Sequence, residues 1–328
     1  MNALRNLKLV VAIAIAVLAV PAPDRVAADG DPPAPPASPP PAARTARHAS
    51  GTVDEDIVYA ELEGGRKLHL DLYRPRHEGP RPTIVWIHGG SWLGGNKRPA
   101  PRGLVGRLLE RGYAVAAVEY RFSNEAPFPA QIHDVKRAVR FLRRHAAALR
   151  VDPDRLASWG FSAGGHLSLL LGMTDGDDGL EPPPDGGPEV STRVRAAASW
   201  VGPTDLRLYP PAADGPIQKL MGGKPQGEAP DLYRLGSPVA HATADDPPAF
   251  LVYGKLDWLV PFEQATAIQA ALDRAGVSNV ALWVDNMGHG NQMPLMPPMK
   301  PTKDEVEAAF FRFLESAFRR APVLKYRE

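Results

Sequence analysis

Cysteine is absent from this chain of 328 residues. Disulfides, thiol nucleophiles and cysteine-based metal sites are therefore excluded. The sequence also lacks an excess of charge of one sign, because 38 Lys and Arg residues balance 37 Asp and Glu residues. This balance gives no reason to expect nucleic acid or an anionic membrane as a partner. There is no HExxH motif and no short His-x-His pair, so we expect no metal site.

The N-terminal segment has the pattern of a signal peptide. Arg5 and Lys8 precede an apolar run at Leu9–Val20, and Val26-Ala27-Ala28 follows it. The run is too short to span a bilayer as a mature helix. We therefore expect a signal peptide at 1–28, cleavage after Ala28, export to the periplasm or beyond, and no stable membrane span in the mature form. An uncleaved membrane anchor is the alternative.

Residues 29–50 are dense in proline and alanine, with seven prolines between positions 32 and 41. Such a run favours an extended polyproline conformation and cannot build a core, so we interpret it as a linker. The remaining residues, 51–328, are enough for one catalytic domain with a sizeable core.

Two kinds of strand are predicted. Asp56–Leu62 and Arg66–Tyr73 flank Glu63-Gly64-Gly65, and the second run alternates apolar with polar residues, as in an antiparallel hairpin. Later runs are continuously apolar, as expected for strands buried on both faces. These runs are 83–87, 113–118, 249–253 and 280–284, and a further strand is expected near 196–201.

Helical patterns alternate with these strands. Apolar residues recur at steps of three and four after Pro129 and again in Pro261–Ala275, where Gly276 is placed to cap the helix. Thr302 and Glu305 match a capping box at the start of the last helix. The alternation predicts an α/β fold, with a mostly parallel central sheet and helices on both faces.

Two long segments interrupt the alternation. Residues 174–192 are rich in Gly, Pro and Asp, and we interpret them as a solvated surface loop rather than a calcium-binding loop. Residues 206–246 are long and punctuated by proline. Because connections of this length are usually functional, we expect a lid or a pocket wall there.

The candidate nucleophile is Ser162, in the motif Gly160-Phe161-Ser162-Ala163-Gly164 between a strand-like and a helical run. At a sharp strand-to-helix turn with a serine at its tip, the residues two before and two after the serine crowd each other. Glycine at 160 and 164 removes that clash. The turn also leaves the N–H of Ala163 free at a helix N-terminus, where it can stabilise an oxyanion.

The segment His88-Gly89-Gly90-Ser91-Trp92 directly follows a predicted strand. Adjacent glycines let the main chain approach a ligand and point N–H groups at it. We assign the oxyanion donors to Gly90 and Ser91, paired with Ala163, and the sequence does not decide among Gly89, Gly90 and Ser91. A plain glycine turn is the alternative. His88 is expected to hold this loop in shape.

Asp257 and His289 are the candidate acid and base. Asp257 lies between an apolar strand and a helix opened by Pro261, where it can hold a histidine by its second nitrogen. His289 lies between two glycines just beyond another predicted strand, and can take the proton of the serine. A helix-capping role is the alternative for Asp257, and Asp205 is its rival as the acid.

The sequence resembles the α/β-hydrolases. More narrowly, it is similar to hormone-sensitive-lipase-like esterases and to the bacterial carboxylesterases grouped with bifunctional feruloyl and acetyl-xylan esterases. The motifs that carry the resemblance are HGGSW at 88–92, VEYRFSNEAPFPAQIHDVKRAV at 118–139, GFSAGG at 160–165, YGKLDWLVP at 253–261 and GHG at 288–290. The order Ser162, Asp257, His289 is that of the α/β-hydrolase triad.

This resemblance implies a Ser-His-Asp esterase that needs no cofactor. One departure concerns Ser91, which stands where the lipase-type pattern often has a third glycine. HGGSW is closer to the HGG-x-W variant of small carboxylesterases and arylformamidases, and this leaves open which N–H completes the oxyanion hole.

We therefore expect an exported hydrolase of carboxylic esters, acting on short-chain esters or on acetyl and feruloyl esters of plant polymers. Trp92, Phe161 and Trp258 are candidate pocket residues, although aromatic side chains beside a triad are as often core. The alternatives are an exopeptidase or amidase like the prolyl oligopeptidases, and a non-catalytic binding module. The missing propeller-length region counts against the first, and the presence of all three triad residues against the second.

Overall fold

The computed structural model describes residues 44–97, 102–209 and 215–319. Within these ranges the chain forms a single sheet of nine strands. The strands are β1 Arg44–His48, β2 Gly51–Glu61, β3 Lys67–Pro75, β4 Arg81–Ile87, β5 Ala114–Val118, β6 Val151–Phe161, β7 Ala197–Trp200, β8 Ala249–Gly254 and β9 Asn279–Val284. The helices are α1 Arg102–Glu110, α2 Ala130–Arg144, α3 Ala146–Leu149, α4 Ala163–Met173, α5 Gly215–Leu220, α6 Pro230–Leu235, α7 Glu263–Ala275 and α8 Lys303–Arg319.

The strands lie in the order β1-β2-β3-β5-β4-β6-β7-β8-β9. Pairing is antiparallel from β1 through β3 to β5, and parallel from β5 through β4 to β9. Because parallel strands end at the same edge, residues that follow β4, β6, β8 and β9 meet there. Ile87, the last residue of β4, pairs with Gly160 near the end of β6.

Helices cover both faces of the sheet, as alternate side chains of β4 illustrate. Ile84 and Trp86 pack in one core with side chains of α1 and α8. Val85 and Ile87 pack in another with α2 and α4. Successive side chains of a strand point to opposite faces, so each face has its own core. The predicted mostly parallel sheet with helices on both faces, as in α/β-hydrolases, is confirmed.

The N-terminal hairpin has the expected antiparallel pairing of β2 with β3. The sheet begins earlier than the sequence indicated, because Arg44–His48 form β1 along β2. The linker predicted for 29–50 was therefore wrong in its last residues, which gain a partner strand that local composition does not reveal. Residues 29–43 of that linker and the signal peptide predicted for 1–28 lie outside the described residues.

Helix ends match the signals in the sequence. Gly276 caps α7 in the left-handed conformation, with φ of 72°. At the start of α8, the N–H of Thr302 donates to Glu305 Oε2 at 2.8 Å, and the N–H of Glu305 donates to Thr302 Oγ1 at 3.3 Å. These two bonds form the predicted capping box.

The segment predicted as a lid, 206–246, carries α5 and α6. Its apolar side chains Leu206, Ile217, Leu220 and Tyr233 belong to the same core as α2 and α4. It thus covers part of the face on which α4 lies, and its role as a lid stays a prediction. Among the helices of the described residues, none has the length and apolar character needed to cross a membrane.

Candidate active site

Ser162 lies on a sharp turn between β6 and α4. Its φ of 54° and ψ of −122° are unfavourable for a residue with a side chain, and strain of this kind is concentrated at functional sites. Two main-chain bonds hold the turn: the N–H of Ser162 donates to Trp200 O at 2.8 Å, and its carbonyl accepts from the N–H of His166 at 3.0 Å. Neighbouring strand and helix therefore fix the serine in place.

The two glycines of the motif are required by contact with the main chain. A Cβ at Gly160 would lie 2.1 Å from Gly164 O, and a Cβ at Gly164 would lie 2.0 Å from Ile87 O. Both distances are far below van der Waals contact, and main-chain atoms cannot move to relieve the clash as the end of a flexible side chain can. The crowding predicted around Ser162 is present.

His289 and Asp257 form the hydrogen-bonded pair that the sequence predicts. His289 Nδ1 lies 2.8 Å from Asp257 Oδ2, and the Asp257 side chain is fully buried. A carboxylate only accepts, so Nδ1 is the donor of this bond, and in the neutral form of the ring Nε2 is then the basic nitrogen. The His289 side chain is 19% exposed, so the protein covers the imidazole only in part.

The other oxygen of Asp257 is also held. Asp257 Oδ1 accepts the N–H groups of Leu259 and Val260, each at 2.9 Å. Asp205, the rival acid, is turned elsewhere, because its two oxygens accept from Arg207 Nε at 2.7 Å and Nη2 at 2.9 Å. The structure therefore brings Asp257, and not Asp205, to His289.

Phe161 lies between the serine turn and the histidine loop. Its ring is 5.2 Å from the His289 ring in an edge-to-face arrangement. A Cβ at Gly290 would lie 2.4 Å from Phe161 Cε2, and the φ of Gly290 is 79°. Glycine at 290 thus permits both the left-handed turn and the close approach to Phe161.

The glycine loop after β4 runs beside the serine. A Cβ at Gly89 would lie 3.2 Å from Ser162 Cβ. The φ values of Gly90, Ser91 and Trp92 are 122°, 53° and 57°. Among the described residues, no main-chain acceptor takes the N–H groups of Gly90, Ser91 or Ala163, and their role as oxyanion donors stays a prediction.

His88 holds this loop from behind. Its Nδ1 lies 2.8 Å from Gly89 O, and its ring stacks on Tyr120 at 4.4 Å between centroids. Burial lowers the pKa of His88, which keeps the ring neutral. A peptide unit is planar and trans, so a Gly89 carbonyl fixed towards His88 directs the N–H of Gly90 to the opposite side.

Lys97 stabilises the far end of the same loop through ion pairs. No local signal in the sequence indicated this role. Its Nζ lies 2.8 Å from Asp56 Oδ1 and 2.9 Å from Asp71 Oδ1. The Lys97 side chain is buried against the β2–β3 hairpin, so two carboxylates offset the cost of burying its charge.

The three aromatic residues proposed for the pocket have different environments. Phe161 contacts the imidazole of His289, as described above. Trp92 is only 3% exposed and its Nε1 donates to His166 Nδ1 at 3.3 Å, so its ring belongs to the core. Trp258 is 78% exposed beside Asp257. A substrate-binding role for each stays a prediction.

The arrangement has the parts needed for acyl transfer. It contains a serine on a strained turn, an imidazole bonded to a fixed carboxylate through Nδ1, and main-chain N–H groups in two segments near the serine. Among the described residues, no group of three or more His, Asp or Glu side chains could hold a metal ion.

The chain is similar to known ester hydrolases. A family model described as BD-FAE matches residues 70–272. The probable carboxylic ester hydrolase LipM of Mycobacterium tuberculosis is 37% identical over 219 residues, covering 65% of this chain and 50% of LipM. Esterase LipQ of the same organism is 32% identical over 245 residues, covering 72% of this chain and 56% of LipQ. The chain thus spans about half the length of these relatives.

A solved structure matches over more of its own length. A truncated form of a carbohydrate esterase from gut microbiota has a TM-score of 0.72 and 29% identity to this chain. The match covers 84% of this chain and 99% of that one.

Proposed function

Because the chain belongs to the BD-FAE family, we propose that it is a serine hydrolase that cleaves carboxylic esters. The observation that carries the proposal is the hydrogen bond between His289 Nδ1 and Asp257 Oδ2, at the sheet edge where Ser162 also lies. This bond leaves Nε2 as the base and stabilises the imidazolium that forms when it takes a proton. The relatives LipM and LipQ, both named as ester hydrolases, support the same reaction class.

In the first step, Ser162 Oγ attacks the ester carbonyl while His289 Nε2 takes the hydroxyl proton. The new C–O bond leaves the carbonyl electron pair on oxygen, and the N–H of Ala163 with a loop donor stabilises this oxyanion. We favour Gly90 as the loop donor, because the His88 contact with Gly89 O orients the N–H of Gly90 away from His88. Collapse of the intermediate breaks the ester C–O bond, and His289 returns its proton to the leaving alcohol.

In the second step, water takes the place of the Ser162 hydroxyl as the nucleophile. His289 takes a proton from water, the hydroxide adds to the acyl carbon, and the same donors stabilise the second oxyanion. Collapse breaks the bond between the acyl carbon and Ser162 Oγ, His289 returns its proton to Oγ, and the carboxylic acid is released. Asp257 does not need to change its charge in either step, since it acts by orienting the imidazole.

The substrates that we propose are short-chain esters or acetyl and feruloyl esters linked to plant polysaccharides. Support for the sugar-linked class comes from the similarity to the gut carbohydrate esterase. The pattern at residues 1–28 supports export of the enzyme, and the helical segment 206–246, packed on the same core as α4, is proposed as its lid.

The test is hydrolysis by the full chain of p-nitrophenyl acetate and butyrate, acetyl-xylan and methyl ferulate. We expect Ser162→Ala to lose turnover and covalent labelling by a fluorophosphonate probe, since it removes the nucleophile. Ser316→Ala, at an exposed serine of α8, is the matched control and should keep both. Wild-type turnover in Ser162→Ala would overturn the mechanism. Cleavage of dipeptide amides in preference to every ester would favour the peptidase alternative.

A further inference from the structure

The imidazole of His166 joins three segments of the active-site region. His166 lies in the first turn of α4, four residues after Ser162, and its side chain is completely buried. Its Nδ1 lies 3.3 Å from Trp92 Nε1, in the loop of the candidate oxyanion donors. Its Nε2 lies 2.7 Å from Gly236 O, in the segment 206–246.

The two contacts fix the tautomer of His166. An indole N–H only donates, so Nδ1 must be the acceptor and carry no proton. The proton is then on Nε2, which donates to the Gly236 carbonyl. Both ring nitrogens have a partner in this one neutral form, and protonation of Nδ1 would break the contact with Trp92. Burial, which lowers the pKa of His166 to about 4, supports the neutral form.

Trp92 makes the link to the oxyanion loop. Ser91 and Trp92 both have positive φ, a conformation that costs non-glycine residues free energy and persists only where the surroundings enforce it. Trp92 is held at two places. Its carbonyl accepts from the N–H of Ser123 at 2.7 Å and from Ser123 Oγ at 3.1 Å, and its indole is held by His166.

Gly236 makes the link to the segment 206–246. It follows α6, and its N–H donates to Leu232 O at 2.9 Å. A Cβ at Gly236 would lie 2.9 Å from Met221 Cε and 3.1 Å from Leu206 Cδ1, so glycine lets the chain pack closely there. The carbonyl of Gly236 is thereby presented to Nε2 of His166.

We infer that His166 is a positioning residue for the oxyanion loop: through Trp92 it holds the left-handed Ser91–Trp92 turn in register with the serine, and through Gly236 it couples that turn to the segment 206–246. This inference rests on the proposed function, because it assumes that the loop donates to an oxyanion. His166 touches neither substrate nor Ser162 Oγ in this role, and it acts through the main chain that it holds.

The test compares three variants at the two ends of the bond. His166→Leu removes both ring nitrogens and keeps an apolar side chain. His166→Asn keeps an acceptor near the position of Nδ1, and Trp92→Phe removes the donor while keeping an aromatic ring. Each variant is quantified by active-site titration with paraoxon, so that kcat refers to folded enzyme, and the rate of phosphorylation of Ser162 is measured as a second reaction that uses the oxyanion hole.

We expect His166→Leu and Trp92→Phe to lower kcat and the phosphorylation rate by about 10- to 100-fold, with KM changed by less than about threefold, because misplaced donors weaken transition-state binding. The double variant, His166→Leu with Trp92→Phe, should lose no more than the worse of these two single variants, since both remove the same Trp92–His166 bond. His166→Asn should recover much of the loss. Unchanged kcat in His166→Leu, with only a lower Tm, would overturn the inference, as would additive losses in the double variant.

One readout is independent of turnover. The indole N–H resonance of Trp92 should be protected from hydrogen exchange in the wild type and lose that protection in His166→Leu. An unchanged resonance would overturn the inference even if esters are hydrolysed. Conversely, a wild-type enzyme that neither hydrolyses esters nor reacts with paraoxon would contradict the proposed function, while the resonance would still test the coupling of His166 to the loop.

Discussion

Asp257 is bound at both of its carboxylate oxygens, and His289 takes only one of them. Oδ2 lies 2.8 Å from His289 Nδ1, while Oδ1 accepts the N–H groups of Leu259 and Val260 at 2.9 Å. The main chain therefore fixes the acid, and the acid fixes the imidazole. The orientation of the candidate base is set by the turn after β8 before any substrate binds.

This relationship predicts the effect of Asp257→Asn. The asparagine keeps an oxygen for Leu259 and Val260, but its amide would donate to Nδ1 and favour the wrong tautomer of His289. We expect kcat for p-nitrophenyl butyrate to fall on the order of 10⁴-fold. Asp205→Asn is the matched control and should keep kcat, because Asp205 binds Arg207. The opposite pattern, loss in Asp205→Asn alone, would move the acid to Asp205.

Gly290→Ala tests the contact between the histidine loop and Phe161. An alanine Cβ there would lie 2.4 Å from Phe161 Cε2, so the ring or the His289 loop must shift. Gly276→Ala is the control, since Gly276 has a similar φ of 72° but no atom within 4 Å. The left-handed conformation should cost each variant about 1–2 kcal/mol in denaturant unfolding, and the clash adds to this cost in Gly290→Ala. Only Gly290→Ala should also lower kcat, by about 10-fold or more. Equal kcat in the two variants would show that this contact does not position His289.

Glu181→Gln tests the ion pairs that Glu181 makes with Lys136 and Arg140, outside the site. Glu181 Oε1 lies 2.6 Å from Nζ of the fully buried Lys136, and Oε2 lies 2.8 Å from Arg140 Nη2. Burial lowers the pKa of Lys136, and Glu181 offsets this. Removing the carboxylate leaves Lys136 and Arg140, both on α2, without the negative charge of Glu181. We therefore expect a loss of about 3 kcal/mol in unfolding free energy. The exposed Glu189→Gln should change stability by less than about 0.5 kcal/mol. Equal stabilities would contradict the structural role of this pair.

The triad candidates could be predicted from sequence because each has a local signature. Ser162, Asp257 and His289 all follow a strand-like apolar run, and parallel strands end at one edge of the sheet. Glycines at tight turns added to the signal, since the crowding that requires them comes from nearby main chain. The fold followed from the same alternation of strands and helices.

Contacts between distant segments could not be predicted in this way. His166 and Gly236 are 70 residues apart, and no pattern near either one indicates the other. Trp92 and Trp258 look alike in sequence, each beside a motif residue, yet one is 3% and the other 78% exposed. β1 lies in a stretch of proline and alanine composition, and it forms a strand because β2 offers an edge. In each case the partner, rather than the local sequence, decides the structure.

His166 also predicts how stability depends on pH. Burial lowers its pKa in the folded state to about 4, against 6.5 for an ordinary histidine. Between these two values the unfolded chain binds more protons than the folded one, so the fold loses stability as pH falls from 6.5 towards 4. Above pH 6.5 the ring is neutral in both states, and the fold keeps its full stability. By pH 4 the unfolding free energy has fallen by about 3 kcal/mol through His166 alone. His133, whose pKa is also lowered to about 4, acts in the same direction, and Asp246, whose pKa burial raises to about 6, acts in the opposite one.

Comparison of wild type with His166→Asn isolates this effect, because His133 and Asp246 contribute equally to both proteins. Asparagine does not titrate, so the difference in unfolding free energy should favour the wild type least at the lowest pH and grow as pH rises to 6.5, then stay constant. Urea unfolding at half-unit steps between pH 4.5 and 7.5 measures it. His77→Asn, at an exposed histidine, is the control and should give a curve parallel to wild type. Parallel curves for His166→Asn would mean that the His166 ring keeps an ordinary pKa despite its burial.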